Sequence, residues 1–145
     1  MKLDNEFKLT VDSRSTNESF CRVVVSSFIT CLDPTVEELS DLKTAVSEAV
    51  TNSIVHGYAD TYGKIFVTGQ IFDSSVVRIK IRDKGVGIDN LDKAMTPLFT
   101  TGGDDRAGLG FTVMKSFCDN VRVSSQVGKG TTVTLTKRIV GRSKW

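Results

Sequence analysis

Ser47-Glu48-Ala49-Val50-Thr51-Asn52 places a carboxylate and a carboxamide four residues apart, inside a stretch with helical apolar spacing. Leu39, Leu42, Val46, Ala49, Val50 and Ser53 fall on one side of that helix. Thr35-Val36-Glu37-Glu38 reads as a capping box at its start, with Pro34 just ahead, and Gly57 reads as its C-cap. Glu48 and Asn52, as an i, i+4 pair, share a face that is not the apolar one. An Asn oxygen is a hard ligand suited to Mg²⁺. A carboxylate one turn away can orient or deprotonate an attacking hydroxyl. The plainer reading of the same pair is two solvated residues on an amphipathic helix.

Outward from this helix, the chain reads β, α, α, β, β, loop, α, β, β. Phe7, Leu9 and Val11 alternate with Lys8 and Thr10, as in a first strand. Ser15-Thr16-Asn17-Glu18 reads as a capping box opening a helix through about Thr30, with Phe20, Val23, Val24, Ser27, Phe28 and Cys31 as its buried face. Ile65 to Phe72 and Val76 to Arg82 form a hairpin over Asp73-Ser74-Ser75. Residues 90–105, with Pro97 and Gly102-Gly103-Asp104-Asp105, read as a short helix and a mobile loop. Leu109 to Cys118 is a helix, and Val121 to Ser125 with Thr131 to Lys137 is a last hairpin. The expected fold is α+β: one domain over residues 1–145, a two-layer α/β sandwich with helices on one face of a mixed, mostly antiparallel sheet.

Two further segments fit the first as one nucleotide site. Asp83-Lys84-Gly85-Val86-Gly87 follows an apolar strand; a carboxylate there can accept hydrogen bonds from an exocyclic amine such as adenine's, and Gly85 and Gly87 allow close approach of backbone. Alone, it also reads as a plain turn. Arg106-Ala107-Gly108-Leu109-Gly110-Phe111 puts a glycine pair at a helix start, where free N–H groups make a phosphate site, with Arg106 able to steady a terminal phosphate. There is no Walker lysine and no six-residue Gly-x-Gly-x-x-Gly run.

At 145 residues the chain can bury a working core without metals or disulfides. A composition 39% hydrophobic and 25% charged suits a soluble globular domain. The net charge of +2 is too small to argue for direct nucleic-acid binding, and the basic C-terminal stretch reads as a solvated tail. Cys21, Cys31 and Cys118 with the single His56 make no zinc spacing; buried free thiols are expected, and His56 reads as a helix-end packing residue. No apolar run approaches a membrane span, and the start lacks the apolar core of a signal peptide, so a cytoplasmic location and no membrane partner are expected.

The order Glu-x-x-x-Asn, Asp-x-Gly-x-Gly, Gly-x-Gly and a final Gly-x-Gly-Thr-Thr turn resembles the ATPase superfamily of gyrase, Hsp90, histidine kinases and MutL, with its Bergerat nucleotide fold. Residues 47–58, Pro97-Leu98-Phe99-Thr100-Thr101, Asn17-Glu18-Ser19-Phe20 and Leu32-Asp33-Pro34-Thr35 narrow the resemblance to the anti-sigma-factor serine kinases, and within them to the sporulation branch. The resemblance implies ATP/ADP and Mg²⁺ as cofactors, with Asn52 as the magnesium ligand and Glu48 as general base. It implies Asp83 as the adenine-reading acid, helped by Gly85, Gly87 and Thr131. Thr100, Thr101, Gly108, Leu109 and Gly110 are implied at the phosphates, and Arg106 near the γ-phosphate.

The partners implied are the sporulation sigma factor F, an anti-anti-sigma protein phosphorylated on serine, and a second copy in a homodimer. Arg22 is a candidate partner contact; as plain chemistry it is also a solvated helix residue. One departure stands out: Gly102 occupies the place where many relatives carry lysine, and Asp104 and Asp105 would repel phosphates if they pointed inward. Three rival readings carry different expectations. A histidine-kinase catalytic domain would follow a dimerisation helix and carry lysine at Val55. A pure binding module would hold ATP and sigma factor without transfer. A stress-response anti-sigma kinase would differ in partner.

Overall fold

The computed structural model describes residues 1–90 and 106–142, and the backbone alone for residues 106–109. The elements run β1 (Leu3–Asp12), α1 (Thr16–Ile29), α2 (Val36–Asn52), β2 (Lys64–Phe72), β3 (Val76–Asp83), α3 (Arg106–Phe117), β4 (Asn120–Gln126) and β5 (Gly130–Arg138). The five strands form one sheet in the order β1-β2-β3-β5-β4. The expected mixed sheet is antiparallel at all four of these pairings. The expected short helix and loop, with Thr100, Thr101 and Gly102 to Asp105, lie outside the described residues.

Alternation along the strands divides the molecule into layers. Val77, Ile79, Ile81, Val133 and Leu135 point to one face and are buried with Leu42, Val46, Val50 and Met114 of the helices. The core is thus the space between one sheet face and α1, α2 and α3, and burying it is the main drive to this architecture. The opposite sheet face is left to solvent.

The helix starts differ in chemistry. At α2 the box forms in full: the Glu38 N–H donates to Thr35 Oγ1 at 3.0 Å and the Thr35 N–H to Glu38 Oε1 at 2.9 Å. At α1 it does not. Ser15 is already helical, with φ −57° and ψ −31°, and its hydroxyl caps nothing. The Glu18 N–H uses the Ser15 carbonyl instead, at 3.3 Å, and the Glu18 carboxylate turns to Arg22 at 3.1 Å.

The buried stripe of α1 is also shifted from the expected one: it is Cys21, Val25 and Ile29. Phe20 and Val23 are 49% and 61% exposed. Its apolar residues spread over more than half of the helix circumference, so periodicity leaves its phase open and contact with the sheet decides it. Phe28 stays partly buried, its ring meeting Phe7 of β1 edge to face with centroids 4.7 Å apart.

The cysteines divide likewise. Burial pushes the Cys21 thiol up to about 11 and the Cys118 thiol up to about 12. Cys31, expected buried, is exposed.

Candidate functional site

The α-helix of α2 ends at Asn52 and continues as one π turn, Ser53–Gly57. Such turns change the facing of the residues they carry. Here the turn aims three groups at the end of β3. The Ser53 hydroxyl donates to Asp83 Oδ2 at 2.8 Å. Gly57 passes so close that a Cβ would lie 2.9 Å from the same carboxylate. The Gly57 carbonyl accepts from the Val86 N–H at 3.0 Å. Gly57 is therefore not the left-handed C-cap the sequence suggested: its φ is not positive, and it is the approach of Asp83 that requires it.

Asp83 is 4% exposed. Its second oxygen, Oδ1, accepts from the Gly85 N–H at 2.9 Å. Each oxygen thus has one neutral donor and a lone pair left over, which suits an exocyclic amine. Thr131 pairs with Asp83 across β3 and β5, so the two side chains leave the sheet on one face. The Thr131 hydroxyl lies 2.8 Å from that of Ser125, which also accepts from the Ile88 N–H at 2.7 Å.

Gly85 and Gly87 do their closest packing within the protein. A Cβ on Gly85 would come 2.1 Å from the Gly57 carbonyl oxygen, and Gly87 has φ +77° with its Cβ position 2.3 Å from Gln126 O. The loop is held between the π turn and the β4–β5 turn. Tyr58 ties it further, accepting from the Lys84 N–H and donating to the Lys64 carbonyl, each at 2.7 Å.

The second half of the site lies where α3 meets α2. A Cβ on Gly110 would meet Asn52 Nδ2 at 3.2 Å, Asn52 Oδ1 at 3.3 Å and Glu48 Oε2 at 3.3 Å. The three residues marked in two separate motifs are therefore neighbours. Both polar atoms of the Asn52 carboxamide are buried with no hydrogen-bond partner among the described residues. A buried amide left so costs stability unless a ligand completes it.

Its oxygen, beside one carboxylate, fits a Mg²⁺ ion that takes its remaining ligands from phosphates and water. Among the described residues no cluster of three or more His, Cys, Asp or Glu offers an all-protein cage. The backbone of Arg106, Gly108 and Leu109 forms the first turn of α3, where N–H groups have no intrahelical partner.

Arg22 and Glu48 line a common groove of about 430 Å³ between α1 and α2, with Val36, Ser40, Lys43 and Ser47. Arg22 is held there by Glu18 at 3.1 Å. Sequence reading overlooked Ser53 and Tyr58 as site residues. The signal was a serine in the apolar stripe of α2, where a hydroxyl needs a buried acceptor.

The histidine kinase-like ATPase domain, a known protein family, matches residues 12–137. The anti-sigma F factor of Priestia megaterium is 49% identical over 139 residues, covering 94% of this chain and 95% of that protein. That of Caldanaerobacter subterraneus subsp. tengcongensis is 50% identical over 145 residues, covering 99% of this chain and all (100%) of that protein. The chain belongs to the anti-sigma F factor family. As a member of this family with a histidine kinase-like ATPase domain, it is a nucleotide-binding protein of kinase type. Its fold is shared with part of the crystal structure of the RsbU and RsbW domains of Rv1364c from Mycobacterium tuberculosis, at TM-score 0.69 and 21% identity over 94% of this chain and 33% of that one. It is shared too with the histidine kinase domain of the Erythrobacter litoralis EL346 blue-light activated histidine kinase, at TM-score 0.55 and 18% identity over 84% of this chain and 61% of that one.

Proposed function

We propose that the chain binds Mg-ATP between α2, the Asp83–Gly87 loop and the start of α3, and transfers the γ-phosphate to a serine of an anti-anti-sigma protein. We propose further that it holds the sporulation sigma factor F inactive, acts as a homodimer, and works in the cytoplasm. The observation that carries the kinase reading is the buried, unpartnered Asn52 carboxamide set against Glu48 and Gly110. Relatives about half identical over nearly full length bear the anti-sigma F name, which supports the partners.

In this reading Asp83 accepts the adenine amine, with Thr131 beside it and Gly85 and Gly87 shaping the loop. Mg²⁺, held by Asn52, would draw charge off the phosphates as transfer proceeds. Backbone N–H groups of Gly108, Leu109 and Gly110 hold phosphate oxygens, Arg106 faces the γ-phosphate, and Thr100 and Thr101 belong to the same phosphate-binding set.

Glu48 receives the proton of the serine hydroxyl. The serine oxygen forms its bond to the γ-phosphorus, the bond from that phosphorus to the bridging oxygen breaks, and ADP leaves with the electron pair. Arg22, on the wall of the groove that reaches Glu48, contacts the partner. Transfer from γ-labelled Mg-ATP in host extract tests this. Acid-stable label on a small protein, lost with Glu48→Ala while sigma-factor binding persists, is the expected result. Acid-labile label, or no label with sigma factor still bound, contradicts it and leaves a histidine kinase or a binding module.

A further inference from the structure

The face of the sheet turned away from the helices carries a concentration of charge that the nucleotide site does not use. The outward positions of β3 are Arg78, Lys80 and Arg82, and Lys84 follows at the strand end. Cross-strand register extends the row: Lys80 pairs with Thr68 and Thr134, Thr68 with Lys8, and Thr134 with Arg122. Lys8, Lys80, Arg82, Lys84 and Arg122 are all exposed. Among the described residues no carboxylate forms an ion pair with any of them. The acids of this face sit at the β1 edge: Glu6 accepts a hydrogen bond from Gln70, and Asp12 is paired with Lys64. A chain of net charge +2 thus carries five exposed cations without carboxylate partners, among the described residues, on one sheet face.

That surface is also ordered. The Arg78 guanidinium lies over the Phe72 ring at 4.8 Å, and Arg82 and Lys84 both lie over Phe66, at 5.4 and 5.2 Å. Cation–π contact holds long side chains in place and lowers the entropy lost when they bind. At one end of the face a concavity of about 330 Å³ opens between Arg82, Ser124, Lys129 and Thr132, and its lining also takes in Asp83, Ser125 and Thr131 of the nucleotide site. Five strands at about 4.8 Å spacing make the face roughly 19 Å wide, enough for a protein segment.

We infer that this open face, on the side of the sheet opposite the helices, is a docking surface for an acidic protein segment. Guanidinium forks and threonine hydroxyls in register match carboxylates spaced along an extended strand. A second copy of the chain would bring the same cations against these, so it is not the occupant. A single-stranded nucleic acid would want open aromatic rings on which its bases stack, and Phe66 and Phe72 are covered by cations. A membrane would need apolar side chains to insert, and Phe66 and Phe72 lie beneath cations. The inference stands without the kinase reading.

The test is titration of the full chain with a peptide of alternating glutamate and threonine, followed by backbone amide shifts and fluorescence anisotropy. Oligothymidylate and phosphatidylglycerol vesicles are run beside it. Saturable binding is expected, with shifts on β3, β4 and β5 and not on α2. K80E/R82E weakens it on the order of tenfold or more, and so does R122E, while K115E on α3 leaves it nearly unchanged. Retained Mg-ATP binding and melting temperature show that the variants fold. Equal loss in K115E overturns the proposal, since net charge alone would then be read. So does tighter binding of oligothymidylate or vesicles, or peptide shifts confined to the helices.

Discussion

Gly110 is the residue on which the two halves of the site depend. Its missing Cβ leaves 3.2–3.3 Å to the Asn52 amide and to Glu48 Oε2. Gly110→Ala fills the space where the Asn52 oxygen must meet its ligand. The methyl displaces side chains rather than backbone, so stability falls by no more than about 1–3 kcal/mol while nucleotide affinity falls at least tenfold. Calorimetric Mg-ATP titration beside thermal melts separates the two effects; equal nucleotide affinity in the variant would show that this contact is not part of the site. Glu48, Asn52 and Gly110 were legible as motifs because each is a residue type with restricted chemistry. Their contact was not, since it depends on how α3 crosses α2, and one sequence carries no signal for that crossing. Ser53 went unread for a related reason: in a stripe of apolar residues a serine looks like a small spacer until Asp83 is opposite it.

At the scale of elements, the π turn after α2 holds the Asp83 loop by close contact. Gly57→Ala puts a methyl 2.9 Å from the Asp83 carboxylate and about 3.0 Å from its carbon. Neither the buried strand end nor the π turn can retreat, so a loss of roughly 1–3 kcal/mol in denaturant unfolding is expected, with adenine-nucleotide affinity falling too. An unchanged unfolding midpoint would mean the turn relaxes freely.

Thr35→Ala acts at the other end of α2 and removes one cap bond, costing about 1 kcal/mol without touching nucleotide affinity. The contrast between the two ends shows what a single chain discloses. The Thr35–Glu38 box was readable since both partners lie within four residues. The similar string at Ser15 misled, because Ser15 is drawn into helical φ and ψ and Glu18 finds Arg22 instead. Strands and hairpins were readable from alternation, but α1 was not in phase, being apolar on too many sides.

At the scale of the molecule, Glu38 joins distant parts of the chain. Its carboxylate takes the Val140 N–H at 2.7 Å and the Gly141 N–H at 3.1 Å, as well as the cap bond from Thr35. Arg142 reaches Asp33 at 2.5 Å alongside, so the β5 exit is clasped to the start of α2. Burial pushes the Glu38 carboxyl up, but the Thr35, Val140 and Gly141 N–H groups outweigh it and hold the carboxyl below its ordinary 4.5. A depressed folded value means stability present above the unfolded value and lost as pH falls through the folded one. Glu38→Gln should therefore melt lower than the parent at neutral pH, with the gap closing below pH 4.5. A gap independent of pH would show that shape, not charge, holds the clasp.

The central claim is that Asn52, Glu48 and Gly110 on one side and Asp83 on the other make a single nucleotide site. Calorimetric titration of ATP with and without Mg²⁺, on the parent chain, Asn52→Ala and Asp83→Asn, tests it most directly. Asp83→Asn is expected to weaken ATP binding with or without the metal. Asn52→Ala is expected to remove the metal-dependent part alone. Asn52→Ala with the parent's full magnesium dependence, or Asp83→Asn with the parent's affinity, would contradict it.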